Sequence, residues 1–230
     1  MLNVILRLLN EVFSLVFPQQ CLGCGRELFA TQKIIFFPCE LDLHLTYFHL
    51  QHGAKLLYKM GLNPALKEVF SLYFFNKNRC IESLLYQLKY KGNKRVGHFF
   101  SQKMAGIITE KKVSFDGIIG VPLHAKRKRK RGFNQMDLIG TSLSASSGIP
   151  YCKDALVRTK NTPALSKTKG DRAQVVGNAF AFNPAKKLAA GHYLLIDDIY
   201  TTGATLNACS SLLFSDSRLE LSIATIAYRD

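Results

Sequence analysis

The chain of 230 residues has no tryptophan, and it is short of acid: 16 Asp and Glu stand against 31 Lys and Arg. Bulk missing as indole is supplied by 16 Phe and 9 Tyr in a composition that is 47% hydrophobic. That is ample for a packed core and excludes a disordered chain. No apolar run approaches the roughly 20 residues that span a bilayer, so no transmembrane segment is expected. Internal repeats and low-complexity tracts are also missing. The length suits one medium domain with a small appendage. The deficit of acid leaves a formal charge of +15. Such a balance points to polyanionic partners: nucleic acid, a phosphate-rich ligand or an anionic membrane surface. A basic surface that only aids solubility is the plainer alternative.

A second cysteine pair is also lacking. Cys21-Leu-Gly-Cys24-Gly25 is a C-x2-C knuckle, a turn that lets two thiolates face one tetrahedral metal. Cys39 follows 15 residues after Cys24, a fair distance for the next pair, but Phe36 and Asp42 stand where its partner belongs. Cys21, Cys24 and Cys39 are the zinc candidates, with Asp42 or His44 as a fourth ligand. A degenerate knuckle packed as core is the alternative. His44, His49 and His52 read as loop or surface residues. The six cysteines are scattered, which favours a reducing, cytoplasmic setting over a disulfide scaffold. The apolar segment Leu2–Phe17 imitates a signal peptide. Gln19, Gln20 and Cys21 follow it, with no small-residue cleavage site. It reads as a helix ended by Pro18, packed on its own domain or on a partner or membrane surface.

What is present is strongest near the far end, in Leu194–Thr205, LLIDDIYTTGAT. Tyr193 to Ile196 has the bulk of a buried strand. Two carboxylates, Asp197 and Asp198, stop it. The small polar loop Thr201, Thr202, Gly203, Ala204, Thr205 leads into a helical pattern, Leu206 to Phe214. Strand, acidic pair, loop and helix start in this order predict a site for a phosphorylated sugar. Backbone N–H groups hold the phosphate, and the carboxylates hold hydroxyls or magnesium. Each half alone is an ordinary turn.

A second buried strand, Phe115 to Leu123, runs into Pro122-Leu123-His124 and then six consecutive cations, Lys126, Arg127, Lys128, Arg129, Lys130 and Arg131. Such a run is commonly a solvated charged loop. Here it follows a strand's carboxyl end, where ligands of open α/β sheets sit, and an anion site is expected. Helices are expected over Cys80–Tyr90, Val96–Thr109 and about Met136–Ser146. Further strands are expected around Leu72–Phe75, Ala155–Arg158 (a short edge strand), Ala179–Phe182 and Leu219–Tyr228. Thr159–Val175 reads as a long polar loop.

In combination, the cysteine knuckle, LKYKGN (Leu88–Asn93), VPLH (Val121–His124), KRGFNQ (Lys130–Gln135) and the LLIDDIYTTGAT stretch resemble the ComF/GntX family of phosphoribosyltransferase-like competence proteins. The resemblance covers nearly the whole chain. It implies an α/β fold of the type I phosphoribosyltransferase kind, a parallel sheet flanked by helices with a small N-terminal cysteine-knuckle and hood region. Residues 1–50 would hold the N-terminal helix and degenerate zinc-ribbon-like knuckle. Residues 51–230 would form the phosphoribosyltransferase-like domain, with 51–93 as hood or linker. Asp197 and Asp198 would be the catalytic pair and contact the ribose hydroxyls, directly or through magnesium. Thr201, Thr202, Gly203, Ala204 and Thr205 would wrap the 5-phosphate. Val121, Pro122, Leu123, His124 and Ala125 would form the pyrophosphate loop, with Lys126 near the leaving group. Thr159–Arg172 would be a flap. The chain departs from the family pattern at Phe36, at Leu165 and at Val175.

Two functions of different class follow. One is binding of phosphoribosyl pyrophosphate with magnesium, with transfer of the phosphoribosyl group to an acceptor, in a protein linked to DNA uptake. The other is a non-catalytic adaptor of the DNA-uptake machinery that binds single-stranded DNA. For the second, the six cations would act with Tyr90, Phe133 and Tyr151 as stacking faces. A zinc or redox protein is a third, minor reading. Thr201 stands where hypoxanthine–guanine-type enzymes place an acidic base, so six-oxopurine salvage is not expected.

Overall fold

The computed structural model describes residues 19–28, 34–50, 57, 60–75, 79–160 and 179–229. The expected helix Leu2–Phe17 lies outside these residues, as do His52, Leu165, Val175 and nearly all of the expected flap.

The elements run α1 (Phe37–Leu41), a 3-10 turn (Phe48–Leu50), β1 (Val69–Phe74), α2 (Arg79–Tyr90), α3 (Lys94–Lys111), β2 (Gly117–Gly120), α4 (Ala125–Arg131) and α5 (Gln135–Ser147). Then come β3 (Leu156–Arg158), β4 (Phe180–Phe182), β5 (Gly191–Tyr200), α6 (Ala204–Leu213) and β6 (Leu219–Tyr228). Four strands form one sheet in the order β1-β6-β5-β2, and every pair is parallel. Parallel sheets are covered on both faces, which is why β6 is buried at every position except Glu220.

One face carries α2, α3 and α5. Ile81, Leu84, Leu85 and Leu88 fall at helical spacing and pack with Val96, Phe100, Met104, Met136, Ile139 and Leu143 over Leu194, Ile196 and Ala224. The opposite face carries α6 and the β3-β4 pair. There Leu206, Cys209, Leu213, Leu156 and Phe180 pack over Ile119, Leu195, Leu221 and Ile223. The knuckle residues Cys21 and Cys39 share the first of these two cores. No helix of the described residues is long and apolar enough to cross a membrane.

Three elements differ from expectation. The basic run is helical: His124 accepts from the Lys126 N–H through Nδ1, and Gly132 ends α4 in the left-handed region. Ala155–Arg158 is not an edge of the main sheet. Leu156–Arg158 instead pairs antiparallel with Phe180–Phe182 in a separate two-stranded ribbon. The carboxylates do not stop the central strand, because β5 continues through them to Tyr200. Its pairing with β6 persists to Tyr200, whereas β2 leaves after Gly120 pairs with Ile196. The last four residues of β5 therefore border a gap at the carboxyl edge.

Candidate functional site

That gap is a pocket of about 340 Å³, and its charged lining is Asp197, Asp198, Lys89, Arg127, Arg131 and Arg158. It lies where β2 and β5 end, the position at which open α/β sheets bind ligands. Val121, Pro122, Leu123, Tyr90, Gln135, Ile199 and Thr205 complete the wall.

Consecutive strand residues lean to opposite faces, so the two carboxylates have different neighbours. Asp198 is buried and faces the α2–α5 side. Lys89 Nζ lies 3.1 Å from its Oδ1, and Gln135 Nε2 donates to its Oδ2 at 2.8 Å. Gln135 is itself oriented by Arg131, whose Nη1 donates to Oε1 at 2.8 Å. The Arg131 guanidinium lies over the Tyr90 ring, 5.0 Å from its centroid. Asp198 is thus held by a relay from three elements. Asp197 has one short bond, accepting from the Asp198 N–H at 2.8 Å. Burial, and then the charge of Asp198, push its carboxyl up to about 7, against the opposing pull of Lys89 and Arg158. Burial and the neighbouring Arg127 lower the pKa of Arg158, whose guanidinium also lies over Phe180, 5.2 Å from the ring centroid.

The β2 exit is fixed by two contacts. The Val121 N–H donates to Ile196 O at 3.0 Å, and Asn134 Nδ2 donates to Val121 O at 3.3 Å. Asn134 also caps α5 by accepting from the Met136 N–H. At the other wall, Gly203 starts α6 with φ +70. A Cβ there would come within 2.9 Å of Tyr200 Cε2, so this turn requires glycine.

Of the residues expected from sequence, Val121, Pro122, Leu123, Asp197, Asp198 and Thr205 line one pocket, together with Arg127 and Arg131. His124 instead caps α4, Lys126 and Arg129 are exposed, and Lys128 pairs with Asp154 at 3.5 Å. Thr201 and Thr202 are exposed at the rim and Ala204 opens α6. Lys130 joins Tyr90, Arg127 and Arg131 around an adjoining cavity of about 260 Å³. Of the three proposed stacking rings, Tyr90 is 58% exposed and pairs with Tyr86, 50% exposed, at 5.1 Å between centroids. Phe133 and Tyr151 are half-buried: Phe133 packs on Gly92, and Tyr151 is wedged against Gly140 with its hydroxyl donating to Asp137.

Sequence reasoning does not single out Lys89 or Gln135 as site residues, although both fall inside the LKYKGN and KRGFNQ stretches. Arg158 carries no local signal at all. The cysteine trio is assembled: the Sγ atoms of Cys21, Cys24 and Cys39 all lie within 4.8 Å of one another, and neither Asp42 nor His44 joins them. His44 is exposed.

No family model matches the chain. Among curated proteins it is similar to Competence protein F of Haemophilus influenzae, 38% identical over 100 residues, 43% of this chain and 44% of that protein. It is also similar to Competence protein ComFC of Bacillus subtilis, 29% identical over 157 residues, 66% of this chain and 60% of that protein. The DNA utilization protein YhgH of Escherichia coli is 33% identical over 98 residues, 43% of each chain. The matches thus span about half the length of these relatives. Solved structures similar in part include adenine phosphoribosyltransferase of Saccharomyces cerevisiae, 16% identical over 60% of this chain and 69% of that one, TM-score 0.38. The corresponding enzyme of Trypanosoma brucei is 12% identical over 73% and 74%, TM-score 0.42. In sequence, the chain is thus similar to competence and DNA utilization proteins over part of their length.

Proposed function

We propose that this chain is a phosphoribosyltransferase-like protein of the DNA-uptake kind that binds phosphoribosyl pyrophosphate with magnesium in the β2–β5 pocket. One observation carries the reading: an adjacent carboxylate pair shares a cavity of about 340 Å³ with Lys89, Arg127, Arg131 and Arg158. A ligand with a diol at one end and a diphosphate at the other needs charges of both signs. Asp197 and Asp198 are assigned the ribose hydroxyls, Thr205 and the start of α6 the 5-phosphate, and Arg127, Arg131 and Val121–Leu123 the diphosphate.

The donor set fits magnesium, a hard cation that takes carboxylate oxygens and phosphate. Asp198 is already held by Lys89 and Gln135, and Asp197, pushed up to about 7, would exchange its proton for the metal. Bound magnesium neutralises charge on a departing diphosphate. Among the described residues lining the pocket, no third carboxylate or histidine stands ready as a base. The reading is therefore a donor-binding site, with transfer to an acceptor supplied from elsewhere. Titration calorimetry with phosphoribosyl pyrophosphate tests it. Affinity should depend on magnesium and vanish in D197N/D198N; unchanged affinity overturns the assignment.

The adaptor reading has its own observation. The exposed Tyr86–Tyr90 pair adjoins the cavity of about 260 Å³ lined by Arg127, Lys130 and Arg131. Stacking rings beside cations suit single-stranded DNA. Tyr90, Arg127 and Arg131 belong to both cavities. Phosphoribosyl pyrophosphate should therefore displace a single-stranded oligonucleotide, and simultaneous binding would separate the two functions. The free thiols suit a reducing cytoplasm. Cys21, Cys24 and Cys39 are assigned a zinc ion, because Cys21 Sγ already accepts the Gly23 and Phe36 N–H groups at 3.3 and 3.1 Å, as a ligating thiolate does.

A further inference from the structure

The cysteine trio has a fourth neighbour that no sequence spacing announces. Cys80 lies 41 residues after Cys39, in the first turn of α2. It is buried, and its thiol lies near Cys39 beside Gly23. It also presses on the knuckle itself. A Cβ on Gly23 would come within 2.5 Å of Cys80 Sγ and within 3.5 Å of Cys39 Cβ. Gly23, between the two knuckle cysteines, is therefore the residue that admits the Cys80 sulfur.

The position is fixed independently of the thiol. Ser83, three residues on and on the same face of α2, donates from Oγ to Leu22 O at 2.5 Å. Leu22 in turn donates from its N–H to Ile34 O at 3.0 Å, so the knuckle, the Ile34–Phe36 stretch and α2 are tied together. Phe36 stands where a fourth cysteine would follow a regular spacing. Its N–H donates to Cys21 Sγ, while its ring lies under Arg26, 5.7 Å from the guanidinium carbon. The backbone half of a second knuckle is thus kept at Phe36, and the missing sulfur has to come from another element.

We propose that Cys80 is the fourth ligand of an all-thiolate zinc site completed from α2, with Cys21, Cys24 and Cys39 as the other three. This rests on the reading of the trio as a metal site. Cys80 stands outside the group whose ligand atoms are mutually within 4.8 Å, and a tetrahedral ion with bonds of about 2.3 Å would draw the four sulfurs together. Structural zinc sites are closed by four protein ligands, and three thiolates alone would leave a position open to water. The consequence is that zinc would clamp α2, and with it Lys89 at the pocket, to the N-terminal knuckle.

Zinc-edge X-ray absorption on the full chain, purified under reducing conditions, counts the ligands without any substitution. Four sulfurs at about 2.3 Å are expected. Three sulfurs with one nitrogen or oxygen would overturn the role of Cys80 while leaving the metal in place. Protein that holds no zinc, even after zinc is added, would overturn both. Cobalt substitution gives a second readout: in C80S the sulfur-to-cobalt absorption should fall by about a quarter, one thiolate in four. An unchanged intensity in folded C80S counts against the assignment.

Discussion

Replacing Asp197 by Asn removes one charge from the carboxylate pair, of which Asp198 is buried and Asp197 half-buried, and keeps an acceptor for the Asp198 N–H. An ordinary carboxyl at 3.8 is raised here to about 7, by burial first and by Asp198 second. The folded chain therefore retains a proton between about pH 4 and 7 that the unfolded chain has released. The stability this contributes is complete below pH 4 and is lost as pH rises through 7. At about 1.4 kcal/mol per pH unit, ionising Asp197 costs on the order of 4 kcal/mol, an upper figure that relaxation and counterions reduce. D197N should escape that cost and exceed the wild type by about 2–4 kcal/mol at pH 8, and by little at pH 4. For a chain of this size that is a rise in Tm of about 4–16 °C. Calorimetric melts in chelator across pH 4–8.5 measure it. A gap of the same size at both ends of the range, or a variant less stable at pH 8, refutes the reasoning. Magnesium with phosphoribosyl pyrophosphate should raise the Tm of the wild type and leave that of D197N unmoved.

Lys89→Met strands Asp198 in a half-closed site and should destabilise by about 3 kcal/mol; K89M/D198N should recover most of it in denaturant titrations. Gly203→Ala forces a side chain into the left-handed region and against Tyr200, so about 1–3 kcal/mol of stability should be lost, with weaker phosphate binding. If Tyr90 stacks a base, Tyr90→Ala should weaken single-stranded oligonucleotide binding by about 1–3 kcal/mol. The remaining affinity should fall steeply with salt, and a flat salt response would rule out the cationic groove.

The helices are legible in the sequence because their apolar spacing is local. Cys80–Tyr90 and Val96–Thr109 differ from α2 and α3 by no more than two residues at any end. β6 spans Leu219–Tyr228 as its apolar run suggests. The six cations carry no apolar spacing that would announce a helix, yet His124 and Gly132 cap one. The sequence also ends β5 too early. Charged residues normally close a buried strand, but Asp197 and Asp198 sit where β2 has departed and face a pocket rather than the core.

By itself the sequence pointed to an α/β chain with Asp197 and Asp198 at a strand's carboxyl end and the cations Lys126 to Arg131 expected as an anion site. It also contained two short stretches, LKYKGN and KRGFNQ, whose connection it did not explain. Tertiary structure decided that connection: Phe133 packs on Gly92, and Gln135 and Lys89 converge on Asp198. It also decided which cations enter the pocket, brought in Arg158, and set Cys80 beside the knuckle. The physical reason is common to all of these. Periodicity and capping report interactions within a turn or two of chain, whereas a polar site is made of single side chains brought together from distant elements.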